Sequence, residues 1–290
     1  MSYILYIVIL IEIYTILSLS LNVVVGYAGL VTLAQAALYG VGAYIATLLM
    51  VNLHWGFLPA LLLAVVGTVL SSLLITAASM RFKGDYFILA ALAFQVIVYS
   101  IINNWVTVTK GPFGIAGIPK PDLFGIHLDS LFTFSLFGLV ITIMVAGFIY
   151  MVLRSAFGRT LQAIRDDEIA ATTLGKKTSS FKIRSIAISA GCAAVAGALY
   201  ATFITYIDPS TFTTDDSLLL LCMVLLGGTG NFKGPIVGAV ILVLLPEALR
   251  LLAIPDSVSA NLRMIIYGIA LIIMMLVRPQ GIAGKYKFES

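Results

Sequence analysis

The chain has 290 residues, of which 61% are hydrophobic and 10% charged, with a mean hydropathy of +1.09. Soluble domains carry roughly 25% charged residues, so this composition excludes a soluble globular enzyme or binding module and demands a bilayer as solvent. A net charge of +4 and a pI near 9.0 would point to nucleic acid in a soluble domain. Here the Lys and Arg residues gather beside the ends of apolar segments, where they set orientation, and no nucleic-acid partner is expected.

Apolar runs recur at 3–24, 30–51, 57–80, 86–104, 132–153, 184–206, 218–252 and 262–277. Most reach the roughly 20 residues a helix needs to cross hydrocarbon. Leu61 to Leu74 is apolar at nearly every position, whereas barrel strands alternate over segments of about 10 residues. The expected fold is all-α: a polytopic transmembrane bundle of about nine segments, forming a single domain over 1–290, with broken or re-entrant helices at glycine-rich breaks.

The first run lacks a basic leader, contains Glu12 and exceeds the ~7–15 apolar residues of a signal peptide, so it is expected to remain as a helix. Glu12 is either functional or a hydrogen-bond partner for a neighbouring helix. Gly26-Tyr27-Ala28-Gly29 then interrupts the apolar pattern and is followed by Gln35, Gly40, Gly42 and Tyr44. Glycine permits backbone that a regular helix cannot hold, and such backbone persists in a bilayer only where protein or a watery cavity covers it. Gly26, Tyr27, Gly29, Gln35 and Tyr44 are therefore candidates for a translocation path. Arg81 and Lys83 mark a turn, and Asp85 behind them either functions or simply favours the start of the next helix. An outer loop over 105–131 carries Gly111, Gly114 and Gly117 as lining candidates.

Residues 154–184 hold most of the charge: Arg154, Arg159, Arg165, Asp166, Asp167, Glu168, Lys176 and Lys177. Phe157, Leu161 and Ile164 recur at helical spacing, and a second short helix begins near Ile169. Asp166 or Asp167 can cap it, Gly175 is a natural stop, and Lys176 and Lys177 follow where the helix dipole favours cations. This is expected to be a cytoplasmic docking surface; the alternative is an interfacial helix resting on lipid headgroups. Short basic loops stay inside, which puts this loop, the Arg81 turn and the tail with Arg278, Lys285 and Lys287 on one side.

The run 218–252 reads as a broken pair, because Gly227-Gly228-Thr229-Gly230-Asn231-Phe232-Lys233-Gly234-Pro235 divides it. Leu218 to Leu226 spans only about 14 Å as a helix, too short to cross alone, and reads as a half-helix entering from outside. Gly227, Gly228 and Gly230 join the path candidates; alternatively Gly230, Gly234 and Gly238 form a small-residue face for helix packing. Cys192 and Cys222 read as small core hydrophobes.

Several stretches now carry a family resemblance: Leu19-Ser20-Leu21-Asn22-Val23-Val24-Val25-Gly26-Tyr27-Ala28-Gly29-Leu30, Gly84-Asp85-Tyr86-Phe87, Lys110-Gly111-Pro112-Phe113-Gly114-Ile115, Ala163 to Ala171, Leu226-Gly227-Gly228-Thr229-Gly230 and Arg278-Pro279-Gln280-Gly281. In this order the chain resembles the inner-membrane permease subunits of bacterial branched-chain amino-acid ABC transporters, of the LivM type. The resemblance implies that Arg165, Asp166, Asp167, Glu168, Ala170, Ala171 and Gly175 form the loop that contacts the ATPase. The general permease motif has Glu where this chain has Ile169, with Glu168 one place earlier. It further implies a heterodimer with a second homologous permease subunit, two cytoplasmic ATPase subunits, an external solute-binding protein and a small amino-acid substrate.

No Gly-x-x-x-x-Gly-Lys-Ser/Thr phosphate loop, His-Glu-x-x-His or Gly-x-Ser-x-Gly occurs. His54 and His127 fall in outer loops. The chain is therefore expected to have no catalytic or metal site and no bound cofactor, ATP being hydrolysed by partner subunits. Ser18, Ser20 and Ser71 have no nearby histidine and are expected to bond helix carbonyls or neighbours. The leading expectation is a permease subunit of an ATP-driven importer. The alternatives are a self-sufficient ion-coupled carrier or channel using Glu12 or Asp85 and, less well supported, an intramembrane enzyme.

Overall fold

Large apolar side chains point outward along the long helices: Leu62 and Leu74 are both 68% exposed, as is Met144. Water would not tolerate such a surface, whereas lipid tails do. The computed structural model describes residues 2–81, 84–123, 126–127, 130–251, 268–269 and 282. Among them seven helices are long and apolar enough to cross a membrane.

In chain order the helices are α1 (Ser2–Asn22), α2 (Gln35–Asn52), α3 (Phe57–Arg81), α4 (Asp85–Asn104), α5 (Val106–Thr109), α6 (Leu131–Arg154), α7 (Ala156–Asp166), α8 (Glu168–Thr173), α9 (Thr178–Ile204), α10 (Thr214–Gly227) and α11 (Lys233–Leu251). The strands are two-residue pieces: β1 (Ile115–Ala116) pairs antiparallel with β4 (Tyr206–Ile207), and β2 (Asp122–Leu123) with β3 (Ile126–His127). The all-α expectation holds. The expected segment over 262–277 lies outside the described residues except at 268–269, as do Lys83, Arg278, Lys285 and Lys287.

Helix α9 is the hub, packing on α1, α2 and α3. Its inner face is nearly all small: Ala190, Ala193, Ala194, Ala196, Ala198 and Ala201 are buried. Without a hydrophobic force between helices in lipid, close backbone approach supplies the dispersion energy. A Cβ on Gly42 would meet the Ala194 backbone, and one on Gly197 would meet Ala43 at 2.7 Å. Ser20 and Ser71 bond the helix carbonyls of Leu17 (2.7 Å) and Thr68 (2.8 Å), as expected, and Ser18 also reaches Pro235 O (3.1 Å). Cys192 and Cys222 are both buried and are not joined in a disulfide.

The run 218–252 is indeed two helices. Gly227 sits against the Gly234 carbonyl and Gly238 against the Met223 carbonyl, so α10 and α11 meet backbone to backbone. The glycines break the run, and the packing reading holds for Gly234 and Gly238, which let the two halves close. The first half begins earlier than expected, at Thr214, because the Thr213 hydroxyl and N–H (2.7 and 3.1 Å) both bond the Asp216 carboxylate in a capping box. With 14 residues, α10 alone is about 21 Å long, short of the ~30 Å hydrocarbon thickness; it reaches a spanning length together with the turn before it, as Pro209–Gly227.

Candidate functional site

The charged island folds as two helices that share a serine-to-aspartate grammar of caps. Ser155 caps α7 by accepting from Phe157 N (3.2 Å), and Asp167 caps α8 by accepting from Ile169 N (2.8 Å) and Ala170 N (2.9 Å). The far end of α8 closes in a left-handed turn at Gly175 (φ +78°). There Lys176 N reaches Ala171 O (3.1 Å) and Gly175 N reaches Thr172 O (2.9 Å), the paired bonds of a Schellman stop. Leu161 and Ile164 are buried beneath α7, and Phe157 stacks on Phe181 of α9 at 5.5 Å.

On α8 only Ala171 turns inward; Ile169 and Leu174 are 79% and 80% exposed. Ala170 and Gly175 are exposed as well. The apolar face of this helix therefore points away from the bundle, while Ala171 anchors it. Glu168 has a definite role in holding the loop: it pairs with Lys182 of α9 at 2.7 Å.

Arg165 connects the island to the bundle. Its Nη1 donates to the Gly26 carbonyl at 2.7 Å, and Nε and Nη2 hold Asp166 Oδ1 at 3.0 and 2.9 Å. Its stem lies across Gly29 (φ +69°), where a Cβ would come within 2.8 Å of Arg165 Cγ. Gly26 and Tyr27 belong to a π-helical turn, Val23–Tyr27, that widens the end of α1. Such turns open the regular ladder and free carbonyls for other partners.

The two glycine breaks meet at this point. Asn22, fully buried, donates to Asn231 O (3.0 Å) and accepts from Gly230 N (3.2 Å). A Cβ on Gly26 would collide with Asn22 and with Gly230 N. Gly227 and Gly228 are buried in the same corner. Beside it, a cleft of about 310 Å³ is lined by Gly29, Gly84, Phe87, Arg165, Asp167 and Lys182 among others. The α3–α4 turn and the island thus share one end of the bundle, the grouping expected from their charges. Ile282 also reaches this end, donating to Leu226 O at 3.0 Å.

Deeper in the bundle lies a belt of buried polar side chains. Gln35 donates to Ser20 Oγ (2.7 Å) and accepts from Ser189 Oγ (3.2 Å). Gln95 of α4 accepts from Ala37 N (2.6 Å) and Ser217 Oγ (3.3 Å), while Ser217 Oγ accepts from Ala36 N (3.0 Å). The first N–H groups of α2, which have no partner inside their own helix, are in this way satisfied by α4 and α10. Gln95 is recognisable in sequence only as a polar residue inside a span; its partners are not. Tyr44 stands further along α2, buried, with its ring 5.9 Å from Phe212.

Glu12 is not part of this constellation. It is buried between α1 and α6, facing Gly138, with Ser135 Oγ at 3.5 Å. At the far end of the bundle Gly111, Gly114 and Gly117 all adopt positive φ (+54°, +66° and +75°). They frame Phe113, which is 80% exposed. No group of His, Cys, Asp and Glu suited to a metal ion occurs among the described residues.

Residues 3–275 match the family described as branched-chain amino acid transport system, permease component. The high-affinity branched-chain amino acid transport system permease protein LivM of Salmonella typhimurium is 33% identical, over 93% of this chain and 67% of that protein. A probable branched-chain amino acid transport permease protein LivM of Methanocaldococcus jannaschii is 27% identical, over 93% of this chain and 90% of its own length. The autoinducer 2 import system permease protein LsrC of Yersinia enterocolitica is 32% identical over 49% of this chain and 40% of its own. No solved structure matches. A membrane-spanning bundle in which a capped surface helix is tied to two broken helices fits that match along nearly its whole length, and the chain belongs to the family of permease components of branched-chain amino acid transport systems.

Proposed function

We propose that this chain is one membrane-spanning half of an ATP-driven importer that carries branched-chain or similar small apolar amino acids. The observation that carries the reading is α8: a six-residue helix, capped by Asp167, stopped at Gly175 and anchored through Ala171. It offers Ile169 and Leu174 to a partner and is joined through Arg165 to Gly26. Apolar side chains this exposed on a charged loop are suited to a cleft on a soluble subunit.

In this reading the α7–α8 end faces the cytoplasm of a bacterial inner membrane, consistent with its Lys and Arg content. A second homologous permease subunit lies alongside, two cytoplasmic ATPase subunits hydrolyse ATP, and an external binding protein delivers the amino acid to the far end. The chain itself binds no cofactor and catalyses no reaction. Closure of the ATPases shifts α8, and Arg165 passes that shift to both glycine breaks.

The test is co-purification of the full assembly from the native membrane. The double variant Ile169→Asp, Leu174→Asp should release the ATPase subunits while the chain stays inserted. Retention of the ATPases at the native level, or solute uptake by the purified chain alone in liposomes, would overturn the proposal. Identifying the amino acid held by the external receptor names the substrate.

A further inference from the structure

The segment Asp208-Pro209-Ser210-Thr211-Phe212-Thr213 leads from β4 into α10. Its turn is stiff, because the Asp208 carboxylate accepts from Ser210 Oγ (2.8 Å), Thr211 Oγ1 (3.0 Å) and Thr211 N (3.2 Å). It delivers Phe212 into the bundle, where the ring is 1% exposed. The ring fills the space that Gly40 leaves open: a Cβ there would lie 2.9 Å from Phe212 Cγ. Tyr39, Tyr44 and Tyr200 surround it edge-on at 5.0, 5.9 and 6.4 Å. Gln95 Nε2 holds its carbonyl at 2.8 Å.

Along this face of α2 the levels are ordered. Ala36 and Ala37 mark the polar belt, Gly40 carries the Phe212 ring, and Tyr44 and Thr47 follow toward the far end. The last two lie about 6 and 10 Å beyond Gly40 at 1.5 Å per residue. Both hydroxyls are buried and lack a hydrogen-bond partner among the described residues. A buried hydroxyl left unpaired is unfavourable, so two on one helix face mark a surface suited to a polar group arriving from the far end. The solute that fits has an apolar body and a hydrogen-bonding head.

We infer that Phe212 is the outer gate of the passage, its ring over Gly40 separating Tyr44 and Thr47 from the polar belt. The inference rests on the import reading for its sense of direction. The gate has a lever. β4 is paired with β1 (Ile115 with Ile207, Ala116 with Tyr206), Tyr206 Oη donates to Phe113 O at 3.2 Å, and Ile118 N donates to Thr205 O at 3.3 Å. Contact made by a receptor at the exposed Phe113 is thereby passed to the segment that carries Phe212.

The test is cysteine accessibility in intact cells expressing the full transporter, with Cys192→Ala and Cys222→Ala as background. Ser189→Cys, whose side chain sits in the polar belt on the inner side of the ring, is probed from outside with a membrane-impermeant methanethiosulfonate. With Phe212 present the residue should react slowly; adding Phe212→Ala should speed modification by ~10-fold or more, and Phe212→Leu by less, as the opening is widened. Equal rates with and without the Phe212 ring overturn the inference. If Phe212→Ala does not reach the membrane, an unchanged rate in Phe212→Leu overturns it as well. Leu53→Cys, exposed at the far end, serves as the orientation control. Its labelling from inside only would refute the import orientation, whereas normal Leu53→Cys labelling with no Phe212 effect refutes the gate alone.

Discussion

Replacing Arg165 with Met keeps the aliphatic stem across Gly29 and removes only the guanidinium. The lost contact is a charge-assisted bond of 2.7 Å to the buried Gly26 carbonyl, a class of bond worth about 1.5–3 kcal/mol. Asp166 loses its partner too, but its side chain is 56% exposed, and such pairs contribute about 0–1 kcal/mol. The Asp167 cap and the Glu168–Lys182 pair are untouched, so α8 should still form and still meet the ATPase. What disappears is the tie between α8 and the two breaks. A coupling term of this size corresponds to roughly 10–150-fold in the linked equilibrium. In proteoliposomes holding the complete transporter, Arg165→Met should retain ATP turnover while solute moved per ATP falls about 10-fold or more. Arg165→Lys, with one donor in place of the fork, should recover part of it. Native stoichiometry in Arg165→Met would refute the link.

Asp167→Ala should loosen α8 by about 1 kcal/mol, the usual worth of such a cap, read as ~5-fold faster amide exchange over residues 168–174; Asp167→Asn should keep the protection. Gly238→Ala drives a Cβ into the Met223 carbonyl, and because backbone faces backbone it should cost about 1–3 kcal/mol or more, lowering the thermal midpoint in detergent. Gly147→Ala, which meets nothing within 4 Å, is the control and should stabilise its helix by about 0.5–1 kcal/mol. Phe113→Ala should leave stability within ~0.5 kcal/mol yet reduce ATP turnover stimulated by the external receptor, measured against unstimulated turnover.

Some of the site could be read locally. The cap at Asp167, the stop at Gly175 and the division of 218–252 each depend on residues within one turn of each other, so chain order contains them. Helix α10 starts four residues before the apolar run at Leu218 because Thr213 and Asp216 form its capping box; the Thr-x-x-Asp spacing is the local signal for it. The inward turn of Ala171 and the outward exposure of Ile169 were not available, since a six-residue helix has too few positions to reveal which face is buried.

Composition determined that the chain lies in a bilayer, and its unbroken apolar runs determined that it spans as helices, because a barrel, the other fold that satisfies every backbone polar group in lipid, would alternate along each strand. Glycine and proline positions determined where its helices break. Only the tertiary structure decided what those breaks do. Asn22 meets Asn231 across 209 residues, Arg165 meets Gly26 across 139, and Gln95 meets Phe212 across 117. Each is a single polar contact between distant segments, and a single contact leaves no periodic trace along a chain.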